Sequence, residues 1–258
     1  MKTTSMTWLK KGVLTLVALP ALLAVAPKGV SAAEAEVPIE KAPVSTNPVD
    51  LQHGAKLFIN YCLNCHAASM MRYNKLTELG LTEEQIKDYL LFTSDKVGDL
   101  MQIAMRPLDG KKWFGATPPD LTLIARQKET LSYSGADWLY TYLRTFYRDE
   151  GRPTGWNNVV FPNVGMPHVL WELQGVQTAE IRDDGHGGKH VKLTLVKPGL
   201  LSPAEYDKAV ADLVSFLNWM GEPVAAKRKA IGVWVMLYLA LFFVLTYLLK
   251  KAYWKDVH

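Results

Sequence analysis

A chain of 258 residues with a formal net charge of +4 could hold one large domain or two small ones. The charge is unevenly spread: residues 1–32 hold four lysines and no acid, and residues 227–258 hold six basic residues against Asp256, so the stretch between carries a net charge of −5. Such an acidic head argues against nucleic acid as a partner and for a basic soluble protein steered by charge.

The chain opens with Lys2, Lys10 and Lys11, runs apolar from Gly12 to Ala26, and leaves through the small residues Val30-Ser31-Ala32. These are the parts of a secretory signal, expected over residues 1–32; Pro20 and the short run disfavour an uncleaved membrane helix. Residues 34–50 are acidic and proline-containing and read as an extended lead-in. Asn47-Pro48 then predicts a helix start, with Asn47 as N-cap and Pro48 at the first helical position. Gly54 and Phe58 fall four apart on one face, and the glycine would let another helix approach closely.

Both cysteines of the chain sit in Cys62-Leu63-Asn64-Cys65-His66. In an exported protein a cysteine pair would ordinarily read as a disulfide, and this spacing permits a redox-active bond. The histidine directly after the second cysteine changes the reading, because Cys-x-x-Cys-His is the haem c attachment signature. Two thiols add to the vinyl groups, and the next residue lies under the iron as its axial ligand. A zinc site would need a second pair of ligands, and no further cysteine exists.

His66 leaves one axial position to fill. Met70 and Met71 are too close to it in sequence to reach the opposite face. Met101 and Met105 stand at helical spacing and read as core, since methionine is a common gap-filler; Met220 belongs to a closing helix. Met166 stands in Phe161-Pro162-Asn163-Val164-Gly165-Met166-Pro167, a loop that proline and glycine keep from being helical. It is the favoured sixth ligand, with Met105 and His168 as alternatives.

The remaining segments are plainer. Residues 145–160 read as a loop without a derivable role. Asp183 to Gly188 form a glycine-rich turn; Asp183, Asp184, His186 and His190 read as solvated there rather than as a metal site. Val191 to Val196 alternates like one strand of a small hairpin. Ser202-Pro203-Ala204-Glu205 is a capping box, and Tyr206, Val210, Leu213, Val214 and Leu217 follow at helical spacing until Gly221 and Pro223. Ala230 to Leu249 is twenty residues without a charge, which at about 1.5 Å per residue covers the core of a bilayer. Basic clusters flank it, with Tyr247, Tyr253 and Trp254 at one end, so a membrane span is expected rather than a buried helix.

These features together resemble the cytochrome c1 family, the haem subunit of the bacterial cytochrome bc1 complex. Gly115-Ala116-Thr117-Pro118-Pro119-Asp120-Leu121 resembles that family's Gly-Ala-x-Pro-Pro-Asp-Leu signature, and Phe161 to Met166 its axial-methionine loop. The resemblance implies one covalent haem c on Cys62 and Cys65, with His66 and Met166 on the iron. It also implies that Pro118 and Pro119 line the haem edge, that Arg126 or Lys128 neutralises a propionate, and that Trp138 packs near the ring. A solvated helix face is the plain alternative for Arg126 and Lys128.

The expected fold is all-α and cytochrome c-like, with a small β-hairpin and one C-terminal transmembrane helix. Residues 33–226 would form a periplasmic haem domain, 230–249 a single-pass anchor in the cytoplasmic membrane, and 250–258 a cytoplasmic tail. By resemblance the chain assembles with cytochrome b and a Rieske iron–sulfur protein, takes electrons from the latter, and passes them to a soluble basic cytochrome c. No residue stands out as a general base or nucleophile, so any enzyme name, here a ubiquinol–cytochrome c oxidoreductase, belongs to the complex.

Overall fold

A computed structural model describes residues 38–183 and 189–255; the expected signal segment with residues 33–37, most of the expected glycine-rich turn (184–188) and the last three residues lie outside them. Helix α1 runs Pro48–Leu57 and starts as the sequence predicts, with the Asn47 side chain accepting from the Val49 N–H at 3.0 Å and proline in the first turn. It passes into a widened π-helical turn, Phe58–Cys62, where the Leu63 N–H reaches back to the Phe58 carbonyl. Such turns concentrate at functional sites. A tight turn follows, in which the N–H groups of Cys65 and His66 both donate to the Cys62 carbonyl.

Strand β1 (Ala68–Arg72) leads through a 3₁₀ segment, Tyr73–Leu79, to helix α2 (Glu83–Tyr89), which a complete Thr82–Gln85 capping box opens. Strand β2 (Leu100–Met101) pairs antiparallel with β1, and helix α3 (Pro107–Phe114) ends on Gly115 in the left-handed conformation. Met101 is therefore a buried strand residue and Met105 lies between elements; the helical reading of this pair does not hold, because β1 captures the backbone of residues 100–101. Short helix α4 (Ile124–Gln127) and helix α5 (Gly135–Arg144) follow, the latter opened by a Ser134–Asp137 capping box.

The segment expected as an open loop at 145–160 is a hairpin. Strand β3 (Phe146–Arg148) pairs with β4 (Trp156–Asn158), Tyr147 opposite Asn157. One helical turn, α6 (Trp171–Gln174), precedes the longer hairpin of β5 (Gly175–Asp183) and β6 (Lys189–Pro198). With three two-stranded antiparallel pairs, the all-α expectation is too narrow: the described residues are about half helical with small sheets. Two of those pairs escape periodicity because their strands are two or three residues long on one side or both, too short to alternate visibly.

Helix α7 (Pro203–Gly221) begins with the complete Ser202–Glu205 capping box and crosses α1. At the crossing a Cβ on Gly54 would stand 2.1 Å from the backbone oxygen of Asp212, so only glycine permits this approach. Phe58 packs on Phe216 beside it, ring centroids 5.7 Å apart, and α5 packs on α7 with the Tyr206 hydroxyl donating to the Leu143 carbonyl. Helix α8 (Ala225–Tyr253) is long and apolar enough to cross a membrane, and none of its most apolar stretch is buried against the rest of the chain. A core helix would be covered; this one presents its leucines and aromatics outward, as a membrane span does.

Candidate haem site

Segments distant in the chain line one cavity of about 330 Å³. Cys62, Cys65 and His66 enter from the end of α1, Pro118 and Pro119 from the strap after α3, Lys128 from the end of α4, Trp138 and Tyr142 from α5, and Met166 from the loop after β4. Leu213 and Leu217 of α7, with Leu139 and Val164, make much of the remaining wall apolar.

The His66 side rests on hydrogen bonds. Its Nδ1 lies 2.8 Å from the Pro119 carbonyl oxygen. A carbonyl only accepts, so Nδ1 carries the proton and Nε2 keeps its lone pair for a metal. Burial lowers the His66 pKa, against the opposing pull of the Pro119 carbonyl and the Asp120 charge, which keeps the ring in the neutral, ligating form. Asp120 then fastens the strap to the residues just after His66. One carboxylate oxygen accepts from the Ser69 N–H at 2.7 Å, the other from the Thr122 N–H at 2.8 Å, and the Leu121 N–H donates to the Ala67 carbonyl. Burial would raise the Asp120 pKa, but the bonds from Thr122 and Ser69 outweigh it and hold the carboxyl below its ordinary range.

The thiols do not resemble a redox pair. Cys62 and Cys65 are not joined in a disulfide, and burial pushes the Cys62 thiol up to about 12 and Cys65 upward as well. Redox-active Cys-x-x-Cys pairs instead hold one thiol at a lowered pKa. Two thiols and an imidazole with a free Nε2, all facing one largely apolar cavity, fit a covalently held haem.

Met166 lines the same cavity, and its sulfur accepts from the Tyr142 hydroxyl at 3.4 Å. Tyr142 is buried and stacked on Trp138, centroids 4.8 Å apart, and burial drives its pKa far up, so the phenol keeps the proton it donates. The other candidates point elsewhere. Met105 lies against the backbone near Gly110, Met101 and Met220 are core, and Met70 is exposed. His168 is buried but stacks on Phe146 at 4.8 Å and does not line the cavity.

Lys128 and Arg126 part company. The Lys128 ammonium lies 4.1 Å from the centroid of the Trp138 ring, at the cavity wall. Arg126 stands outside the cavity: its Nε donates to the Gly221 carbonyl and its guanidinium pairs with Glu222, which also holds Arg228 at the start of α8.

Sequence patterns pass over Tyr142, the Pro119 carbonyl and the Asp120 clamp. Only the last left a signal, an aspartate whose side chain reaches its own neighbour's N–H two residues on.

The chain matches the Cytochrome C1 family over residues 42–185 and 201–257. The chain belongs to the cytochrome c1 family. It is 47% identical over 247 residues to cytochrome c1 of Allochromatium vinosum, covering 93% of this chain and 98% of that one. A relative in Nitrosomonas europaea named ammonia monooxygenase gamma subunit is 48% identical over 224 residues, 86% of this chain and 90% of its own. Cytochrome c1 of Rhodospirillum rubrum is 26% identical over 234 residues, about four-fifths of each chain. The family's cofactor is covalently bound haem c, and its members are haem-carrying electron-transfer subunits of the bc1 reductase complex of respiratory chains.

Proposed function

We propose that this chain carries one haem c on Cys62 and Cys65, with His66 and Met166 as axial ligands, and passes electrons from a Rieske iron–sulfur protein to a soluble basic cytochrome c. The supporting observation is that His66, with Nδ1 engaged by Pro119, and Met166 line a single apolar cavity together with both cysteines. Haem c, when bound, supplies one-electron exchange between ferrous and ferric iron. The chain's own residues supply the rest. Pro119 and Asp120 keep the His66 ring in one orientation, Tyr142 steadies the Met166 sulfur, and the apolar wall excludes water. A methionine ligand and a dry pocket both raise the potential.

In this reading Pro118, Pro119 and Trp138 border the macrocycle, and Lys128, not Arg126, neutralises a propionate, since only Lys128 is at the cavity. A cation there offsets an otherwise costly buried charge. Residues 1–32 act as the export signal, residues 33–226 form a periplasmic head, Ala230–Leu249 anchor it in the cytoplasmic membrane, and 250–258 remain cytoplasmic beside a cytochrome b subunit. The net charge of −5 on the head suits a basic acceptor.

The test is an optical spectrum of the detergent-solubilised protein, oxidised and reduced, in wild type and Met166→Leu. Iron–methionine bonding gives a weak far-red band in the oxidised form; its loss in the variant, with a large fall in potential, supports the assignment. A band that survives the substitution rejects Met166. Carbon monoxide binding by the reduced wild type would mark an open iron position and favour ligand chemistry instead.

A further inference from the structure

The hairpin of β3 and β4 has no part in the cavity wall, yet its tip and second strand make an unusual set of contacts with the loop that bears Met166. Asn163, three residues before the methionine, is the sole non-glycine residue with positive φ among the described residues, at 64°. The hairpin engages its main-chain N–H, its main-chain carbonyl and its side-chain oxygen. Asn157 Oδ1 accepts from the Asn163 N–H at 2.8 Å, Arg152 Nη2 donates to the Asn163 carbonyl at 2.8 Å, and Arg152 Nη1 donates to its side-chain oxygen at 3.2 Å. These bonds tether the loop at one end. At the other end a Cβ on Gly165 would fall 2.4 Å from the Phe114 carbonyl oxygen, so the loop lies hard against the end of α3.

The tether is itself made rigid. The Asp149 carboxylate accepts from Asn157 Nδ2 at 2.8 Å and from the Gly151 N–H at 3.0 Å, and the Arg152 N–H donates to the Asp149 carbonyl. Asn158, fully buried, receives the Val160 and Phe161 N–H groups and donates to the Tyr142 carbonyl, which ties the same strand to the helix bearing Tyr142. Arg152 keeps its Nε buried without a partner. A buried guanidinium nitrogen without a partner costs stability, which the two bonds to Asn163 offset in part.

We propose that Arg152 is a positioning residue for the sixth ligand: through Asn163 it braces the loop so that Met166 stays on the iron. The inference rests on the His66/Met166 reading and gives the 145–160 hairpin its role. Without the brace the loop opens while the two cysteines and His66 still hold the haem.

The experiment uses the full-length, haem-loaded protein in detergent, comparing wild type, Arg152→Gln and Asn163→Gly. Asn163→Gly keeps the left-handed backbone and removes one of the two acceptors that Arg152 grips. Three readings are taken: the far-red band of the oxidised form, its loss on heating relative to loss of helical circular dichroism, and carbon monoxide binding by the reduced form. In Arg152→Gln, carbon monoxide binding should rise roughly tenfold or more over wild type, as loss of bonds from a charged donor predicts. The band should also disappear well before the helices melt. Asn163→Gly should move the same way by a smaller factor, and decides the matter if Arg152→Gln fails to accumulate. A wild-type band and wild-type carbon monoxide binding in the variant that is read would overturn the brace. Absence of the band in wild type itself would instead overturn Met166 as ligand.

Discussion

His66 and Met166 face the same cavity but are held there by different kinds of structure. His66 follows a helix, a widened turn and a tight turn, and its ring is locked by a strap some fifty residues later whose Leu121 N–H, Asp120 carboxylate and Thr122 hydroxyl bond the main chain at Ala67, Ser69 and Met70. Met166 sits in no regular element. Its loop hangs from side-chain groups of a nearby hairpin, from a left-handed asparagine, and from one hydroxyl on its sulfur. The His66 side is thus fastened to the main chain directly after the histidine, whereas the Met166 loop is held from outside by side chains of a separate hairpin. With His66 and Met166 as the proposed ligands, ligand loss should begin at Met166.

The largest break in that contrast should come at the helix crossing. Gly54→Leu drives a side chain into the Asp212 backbone, and such overpacking against main chain should cost about 3 kcal/mol or more. Denaturant unfolding of the haem-loaded protein measures it; an unchanged midpoint would mean that α1 and α7 do not cross here. Next comes Asp120→Ala, which leaves the Ser69 and Thr122 N–H groups without their acceptor and should cost about 2 kcal/mol. Because the folded-state pKa of Asp120 lies below its ordinary value of 3.8, its contribution is complete above that value and disappears as pH falls through the lowered one. The wild type should accordingly lose more stability than the variant on acidification below about pH 4, and parallel acid titrations of the two would refute the clamp.

The smallest effect belongs to the methionine side. Tyr142→Phe removes the donor to the Met166 sulfur without leaving a buried polar group behind. With Met166 as the proposed ligand, a hydrogen bond to its sulfur would weaken donation to the ferric form, so the variant's potential should fall, by about 30 mV if the bond is worth somewhat under 1 kcal/mol. Redox titration reads this directly, and a potential that rises or stays put would show that the hydroxyl does not act on the sulfur.

Much of this was legible in the chain itself. Cys62, Cys65 and His66 are consecutive enough that their chemistry is written in spacing, and Asn47-Pro48, the Ser202–Glu205 box and the charge-free stretch from Ala230 to Leu249 announce their elements through local physics. Capping, propensity and hydropathy act over a few residues, so a linear reading reaches them. The hairpin at 146–158 was not legible, because strands of three residues carry no visible period. Nor was the division of labour between Lys128 and Arg126, two residues apart in sequence, since one turns to Trp138 and the other to Glu222 only once α5 and α7 are packed. Local patterns specified the Cys-x-x-Cys-His motif, the crossing helices α1 and α7 and the apolar helix α8. Packing set which carbonyl receives His66, left Met105 and His168 outside the cavity that Met166 enters, and supplied what holds that methionine there. Those outcomes depend on contacts between separate elements, such as His66 with Pro119 fifty-three residues on and Arg152 with Asn163 eleven residues on, and no local preference encodes such a contact.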